Sequence, residues 1–141
     1  MIGNICRAKR IDNNKWVDGY YVFDKQPLIV KDLQCVVRGL TEFLHVYPVV
    51  GETIGRAVGQ KDKNGKEVFE SDIIKYFGDQ KFVVKYGPYN KHVGLGYYHG
   101  IGFYLEKVGN AEFQIPFDAE MCGAYEVIGN VHDNEELLCV E

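Results

Sequence analysis

The segment G-Q-K-D-K-N-G-K-E-V-F-E-S-D-I-I-K-Y, residues 59–76, decides the fold class. Asn64-Gly65 stands at its centre, between residues that favour strands. Both accept positive φ, and an Asn-Gly pair flanked in this way is the strongest short-range hairpin signal. Beyond the hairpin, Glu70-Ser71-Asp72 turns the chain into Ile73-Ile74-Lys75-Tyr76, which reads as the next strand. The expected result is a compact β scaffold with a polar, charged crest, in which Asp62, Asn64, Gly65 and Asp72 form the structural motif.

Toward the N-terminus, residues 6–11 and 15–23 read as two strands joined through Asp12-Asn13-Asn14, since Asn and Asp tolerate turn geometry. Gly19 is expected to mark a bulge in the second of them. Residues 27–50 carry two signals. Ile29, Leu33, Val36, Leu40 and Phe43 recur at helical spacing. Cys35-Val36-Val37, Gly39 and the run Val46-Tyr47-Pro48-Val49-Val50 favour strands and breaks, and the strand reading is preferred.

Toward the C-terminus, residues 77–80 turn the chain into a strand over 82–86, and Gly87-Pro88-Tyr89-Asn90 has turn chemistry. Residues 90–102 alternate Gly, His and Tyr and read as a loop or irregular hairpin. Residues 103–106 and 113–115 pair around Gly109-Asn110. Residues 125–131 form the last strand, and Asp133 or Asn134 caps a short turn through 135–138. The expected division is an N-terminal β-rich region, 1–50, and a C-terminal region, 51–141, with one continuous domain as the alternative.

The 141 residues suffice for one ordinary core or two small lobes. Ten Tyr and eight Phe against four Pro argue for a folded, mostly β protein, and sixteen Gly for frequent turns. No run of about 18 apolar residues occurs, so no membrane span is expected. Met1-Ile2-Gly3-Asn4 does not open a secretory leader, and the expected compartment is the cytoplasm. There Cys6, Cys35, Cys122 and Cys139, which form no Cys-x-x-Cys pair, read as small hydrophobes.

Charge is unevenly spread. Residues 74–99 hold Lys75, Lys81, Lys85 and Lys91 against Asp79, whereas residues 100–141 hold Lys107 against nine carboxylates. A basic stretch followed by an acidic one can guide partners or self-association.

Most signals of chemistry fail on spacing. Asp62-Lys63-Asn64-Gly65 resembles the opening of a calcium loop, but its Gly stands fourth rather than sixth and Ile73 occupies the twelfth position. Glu67 and Glu70 are three apart on an extended segment and point to opposite faces. Asp72 is more economically a turn carboxylate receiving backbone N–H groups. His45, His92, His99 and His132 lack metal-ligand spacing. Ser71, the only serine, stands in no nucleophile motif. No catalysis, metal or cofactor is expected.

Residues 75–99 are the richest in binding chemistry. Lys75, Lys81, Lys85 and Lys91 interleave with Tyr76, Tyr86, Tyr89, His92, Tyr97, Tyr98 and His99, a combination in which the lysines would follow phosphates and Tyr89, Tyr97 and Tyr98 would stack bases of a nucleic acid. The plainer reading is an antiparallel sheet with Lys81, Val83 and Lys85 on the wet face and Phe82, Val84 and Tyr86 on the dry one. The overall acidity argues against nucleic acid.

The chain resembles the YopX-like family of small proteins encoded by bacteriophages and prophages of Gram-positive bacteria. The motifs are R-A-K-R-I-D-N-N-K-W-V-D-G-Y at 7–20, E-T-I-G at 52–55 and K-D-K-N-G-K-E-V-F-E-S-D-I-I-K-Y at 61–76. G-F-Y-L-E at 102–106 and Y-E-V-I-G-N-V-H-D-N-E-E-L-L at 125–138 complete them. Two departures are Ser71, where the family usually has Gly, and Ala57-Val58-Gly59, where it has Thr-Gly. The resemblance implies antiparallel sheets forming a partial barrel, with an SH3-like roll in the C-terminal part. It implies no particular activity. The expectation is a non-catalytic interaction module partnered by itself or by a phage or host protein. The alternative is DNA binding through the Lys/Tyr surface.

Overall fold

The structure, a computed structural model, describes residues 5–23, 25–31, 46–76, 78–93, 96–117 and 124–139, with side chains at all of them except 90–93 and 96–99. The chain divides into two compact units, Met1–Ala57 and Val58–Glu141. Antiparallel strands build both, so the chain is mostly β. Among the described residues the helical segments are two single 3-10 turns, Gly51–Thr53 and Glu135–Leu138.

In the first unit β1 (Ile5–Lys9) pairs with β2 (Trp16–Phe23), β2 with β3 (Pro27–Val30), and β3 with β4 (Val46–Pro48). The free edge of β1 takes the start of β5 (Gly55–Lys61). Alternation puts Cys6, Ala8, Val17, Ile29 and Val49 into one core, against which Tyr47 and Ile54 pack. The β1–β2 reversal closes with Asn14 in the left-handed region (φ 58°), its N–H donating to the Arg10 carbonyl at 3.0 Å. Arg10 bonds the Asp12 carboxylate through two nitrogens, which holds that carboxyl below its usual range.

Two expectations here need correction or restriction. Gly19 marks no bulge, for the β1–β2 register runs unbroken through Cys6 and Gly19. A Cβ at Gly19 would stand 2.6 Å from the Val30 carbonyl oxygen, so glycine is needed because the neighbouring backbone is too close. The preferred strands within 27–50 occur at β3 and β4, while residues 32–45 lie outside the described residues.

In the second unit β5 continues into the central hairpin with β6 (Glu67–Phe69). A five-stranded sheet follows, ordered β10-β9-β8-β7-β11. Its strands are β7 (Asp72–Tyr76), β8 (Gln80–Val93), β9 (Gly96–Lys107), β10 (Asn110–Pro116) and β11 (Glu126–Asn130). Val68, Ile74, Phe82, Val84, Leu105, Ile115, Tyr125 and Val127 form its core, with Val58, Tyr76, Phe103 and Phe117 packed against them. The strand order is open, with β10 and β11 as edges, and no closed barrel is found among the described residues.

The Asn-Gly reversal is one residue longer than a two-residue turn. The Gly65 N–H donates to the Asp62 carbonyl at 3.0 Å and the Asp62 N–H to the Lys66 carbonyl at 2.9 Å. Gly65 alone is left-handed (φ 80°), the pattern of a type I turn followed by a bulged glycine. Ser71 also sits at positive φ (74°), where a Cβ costs about 1–2 kcal/mol. Two backbone bonds hold it there: its N–H to the Val84 carbonyl at 2.8 Å, and its carbonyl from the Val131 N–H at 2.9 Å.

The expected turn at Gly87-Pro88-Tyr89-Asn90 is absent, and β8 runs straight through it. Its pairing with β9 is continuous from Phe82 opposite Lys107 to Val93 opposite Gly96. Pro88 is tolerated because a strand with one free edge can do without an N–H there. Of the two readings for residues 90–102, loop or irregular hairpin, the hairpin holds: the described residues are the two arms of one hairpin with an unbroken register. The expected cap also differs, since Asn134 makes no side-chain cap bond to the last turn. Its Oδ1 accepts instead from the Asn130 N–H at 3.1 Å, and Asn130 Oδ1 accepts from the N–H groups of His132 and Asp133, each at 3.0 Å.

Candidate interaction surface

Three features of the second unit carry binding chemistry or position it: a latch at Asp62, a lysine-bearing sheet face, and the outer part of the β8–β9 hairpin. Asp62 is only 6% exposed, yet it is a carboxylate that accepts three backbone N–H bonds. Its Oδ1 accepts the N–H groups of Asn64 and Lys66, both at 2.9 Å, and its Oδ2 accepts the Val127 N–H at 2.9 Å. Burial pushes its carboxyl up, but the three backbone donors, with the Lys66 charge, outweigh this and hold it below 3.8. Tyr125 completes the latch, its hydroxyl donating to the Lys61 carbonyl (3.1 Å) and its carbonyl accepting the Lys63 N–H (3.1 Å). The hairpin crest is therefore fastened to β11, 65 residues away. Asp72, 1% exposed, accepts the Phe69 N–H at 2.8 Å and fixes the turn into β7. Asn64 and Gly65 form the turn between them.

The other residues singled out in the sequence lie along β7, β8 and β9. Lys75 is the register partner of Lys81, and its ammonium stands 3.9 Å from the exposed Asp79 carboxylate. Lys85 donates to Glu106 Oε2 at 2.7 Å, an ion pair whose lysine end is open to solvent and which contributes about 0–1 kcal/mol. Tyr89 lies over Gly100, where an added Cβ would meet its hydroxyl at 2.7 Å, and its ring centroid is 5.9 Å from that of Tyr104. Lys75, Lys81, Lys85 and Tyr89 thus share one face by register. Lys91 stands opposite Tyr98, and Tyr97 opposite His92, but their side chains lie outside the described residues.

The opposite face holds what residue-by-residue reading missed. β7 pairs with β8 only over residues 80–83, and β10 with β9 over 104–107, one further backbone bond running from the Phe117 N–H to the Phe103 carbonyl at 3.1 Å. From Gly87 opposite Gly102 outward, the described hairpin is a ribbon two strands wide. At roughly 3.3 Å per residue it reaches about 20 Å past the sheet. Alternation carries the core face of Phe82, Val84 and Leu105 out along this ribbon as Tyr86, Phe103, Pro88 and Ile101. Tyr86 packs edge-on against Phe103, with centroids 5.0 Å apart, and is still 42% exposed; Ile101 is 77% exposed. The parity of these residues is legible in the sequence. Where the core stops covering them is not.

One family model, described as YopX protein, matches residues 6–139, from β1 to the turn after β11. The chain belongs to the YopX family. No curated protein matches it. In this YopX family member, no helix among the described residues is long and apolar enough to cross a membrane. No group of three or more His, Cys, Asp or Glu side chains among them converges into a metal-binding arrangement. The distinguishing geometry of the second unit is thus a rigidly latched sheet from which an apolar-faced ribbon extends.

Proposed function

We propose that this YopX family protein is a non-catalytic interaction module, an accessory protein of phage or prophage type working in the cytoplasm. In this reading its C-terminal unit, an SH3-like roll opened along one side, assembles with further copies through the β8–β9 ribbon. The observation that carries the reading is Ile101, an isoleucine 77% exposed on the face that buries Leu105 and Phe82 four and six strand positions further in. Apolar side chains in a continuous exposed row usually meet a partner. A two-stranded ribbon is also marginal by itself in water and gains stability when one face is covered.

The test is the solution mass, read by sedimentation velocity over a range of protein concentrations. Wild-type protein is expected to sediment as an oligomer, and Ile101→Glu as a single chain with unchanged circular dichroism. A wild type that stays monomeric throughout would remove the reading. The second reading, nucleic-acid binding by Lys75, Lys81, Lys85 and Tyr89, is favoured by their shared face. It is weakened by the pairing of Lys85 with Glu106. Salt-sensitive binding of short DNA by a monomeric wild type would move the choice to it.

A further inference from the structure

A strand without a neighbour on one side leaves backbone N–H and C=O groups unpaired there, and such an edge invites another strand. Most edges of the five-stranded sheet are guarded. On β11 the Val127 N–H is taken by Asp62. On β10 stand Glu112, a register break between Asn110 and Gln114, and a terminal Pro116. In β8 the Val84 carbonyl accepts the Ser71 N–H at 2.8 Å, so by alternation the even-numbered residues turn their backbone groups away from β9. Past the end of β7 this edge meets Pro88, which has no N–H to offer. Charge, bulges and proline are the devices that keep strands from joining.

The outer edge of β9 has none of them. The Phe103 carbonyl accepts the Phe117 N–H at 3.1 Å, so the odd-numbered residues of β9 direct their backbone groups toward β10. The register with β8 is unbroken, so the backbone groups of residues 97, 99 and 101 turn to that same side, where no strand among the described residues lies. We infer that this edge pairs antiparallel with the same edge of a second copy, about a two-fold axis at residue 99, so that the assembly proposed above is a dimer. The inference rests on that reading and deepens it by naming the contacting groups and their symmetry.

Three features favour a second copy over another extended chain. In a two-fold contact each group meets its own counterpart, so any charge would face a like charge. From Gly96 to Phe103 the sequence G-Y-Y-H-G-I-G-F holds no Lys, Arg, Asp or Glu, and no Pro. The open run is also symmetric about its centre: residue 97 meets 101, 99 meets 99, and 101 meets 97. Finally, a two-stranded ribbon is marginal alone, and joining two by their β9 edges makes one four-stranded sheet with Tyr86, Phe103 and Ile101 of both copies on one face.

A backbone substitution separates edge pairing from contact through the apolar face. His99→Pro removes the outward N–H at the centre of the pairing and, because that N–H faces away from β8, costs the hairpin no ladder bond. His99→Val loses the same histidine but keeps the N–H. In sedimentation velocity, wild type and His99→Val are expected to run as dimers and His99→Pro at half their mass. Cysteine placement gives a reading that does not depend on the proline variant folding. The two-fold axis sets the Cα of residue 99 about 5.5 Å from its counterpart, within disulfide reach. It sets residue 101 roughly 13 Å from its own. Under oxidising conditions His99→Cys is expected to give a covalent dimer and Ile101→Cys none. Equal behaviour of His99→Val and His99→Pro, or cross-linking that does not favour residue 99 over 101, would overturn the edge pairing and leave the ribbon reading standing. A monomeric wild type would overturn both.

Discussion

Replacing Asp62 by Ala is expected to lower the stability of the second unit by about 3–4 kcal/mol, measured by urea denaturation. Three backbone N–H groups lose a charged acceptor, and that of Val127 is buried, so water does not replace the lost partner. Asp62→Asn recovers only part of the loss. Its amide oxygen can serve Asn64 and Lys66, but its NH₂ then faces the Val127 donor. The effect carries a pH signature. Asp62 titrates below its ordinary value of 3.8 in the folded chain, so its contribution is complete above that value and is lost as pH falls through the folded one. The stability gap between wild type and Asp62→Asn should therefore close from about pH 4 downward. A gap that stays constant to pH 2 would show that the carboxylate is not the source of the stabilisation.

Phe82→Ala is expected to cost about 3–5 kcal/mol, because the ring is fully buried at the centre of the second core. Tyr76 meets it edge-on at 6.3 Å and Phe113 tilts against it at 6.0 Å, so truncation leaves a cavity bordered by rings that cannot collapse into it. Phe82→Leu should cost less than half as much in the same urea experiment. Equal losses from the two substitutions would mean that the core repacks freely around residue 82.

Local chemistry made the central hairpin legible. Asn64-Gly65 needs only its immediate neighbours to form a turn, and Asp12-Asn13-Asn14 likewise needs only its own side chains and backbone. Alternation over 81–86 was readable for the same reason, and Phe82 and Val84 do enter the core. Sequence and structure differ where a distant strand decides. Gly87, Pro88 and Asn90 are turn residues by composition, yet the ladder to residues 99–102 keeps them extended. Gly19 resembles a bulge until the Val30 carbonyl is placed against it. Asn134 resembles a cap, but its oxygen is used by Asn130. No sequence signal links Asp62 to Val127, because the contact exists only once β11 lies beside the hairpin.

The same distinction holds for the interaction surface. The side-chain types of Lys75, Lys81, Lys85 and Tyr89 mark them in the sequence, and the register aligns them on one face. Tyr86 reads in the sequence as a dry-face residue and Ile101 as part of a loop or irregular hairpin, whereas both are exposed, at 42% and 77%. Their significance comes from the length of β8 and β9 relative to β7 and β10, a tertiary property. In the first unit, Arg7 and Lys9 lie over Trp16 and Arg10 over Tyr47, contacts between side chains that the sequence lists separately.

The most direct test is amide hydrogen exchange across residues 86–89 and 100–103 at rising protein concentration. If copies cover the ribbon, its protection should rise with concentration well beyond any change in the β7 amides of Ile73 and Ile74. Exchange that is the same at all concentrations would mean that the ribbon meets no second copy, and its exposed apolar face would then have no part in assembly.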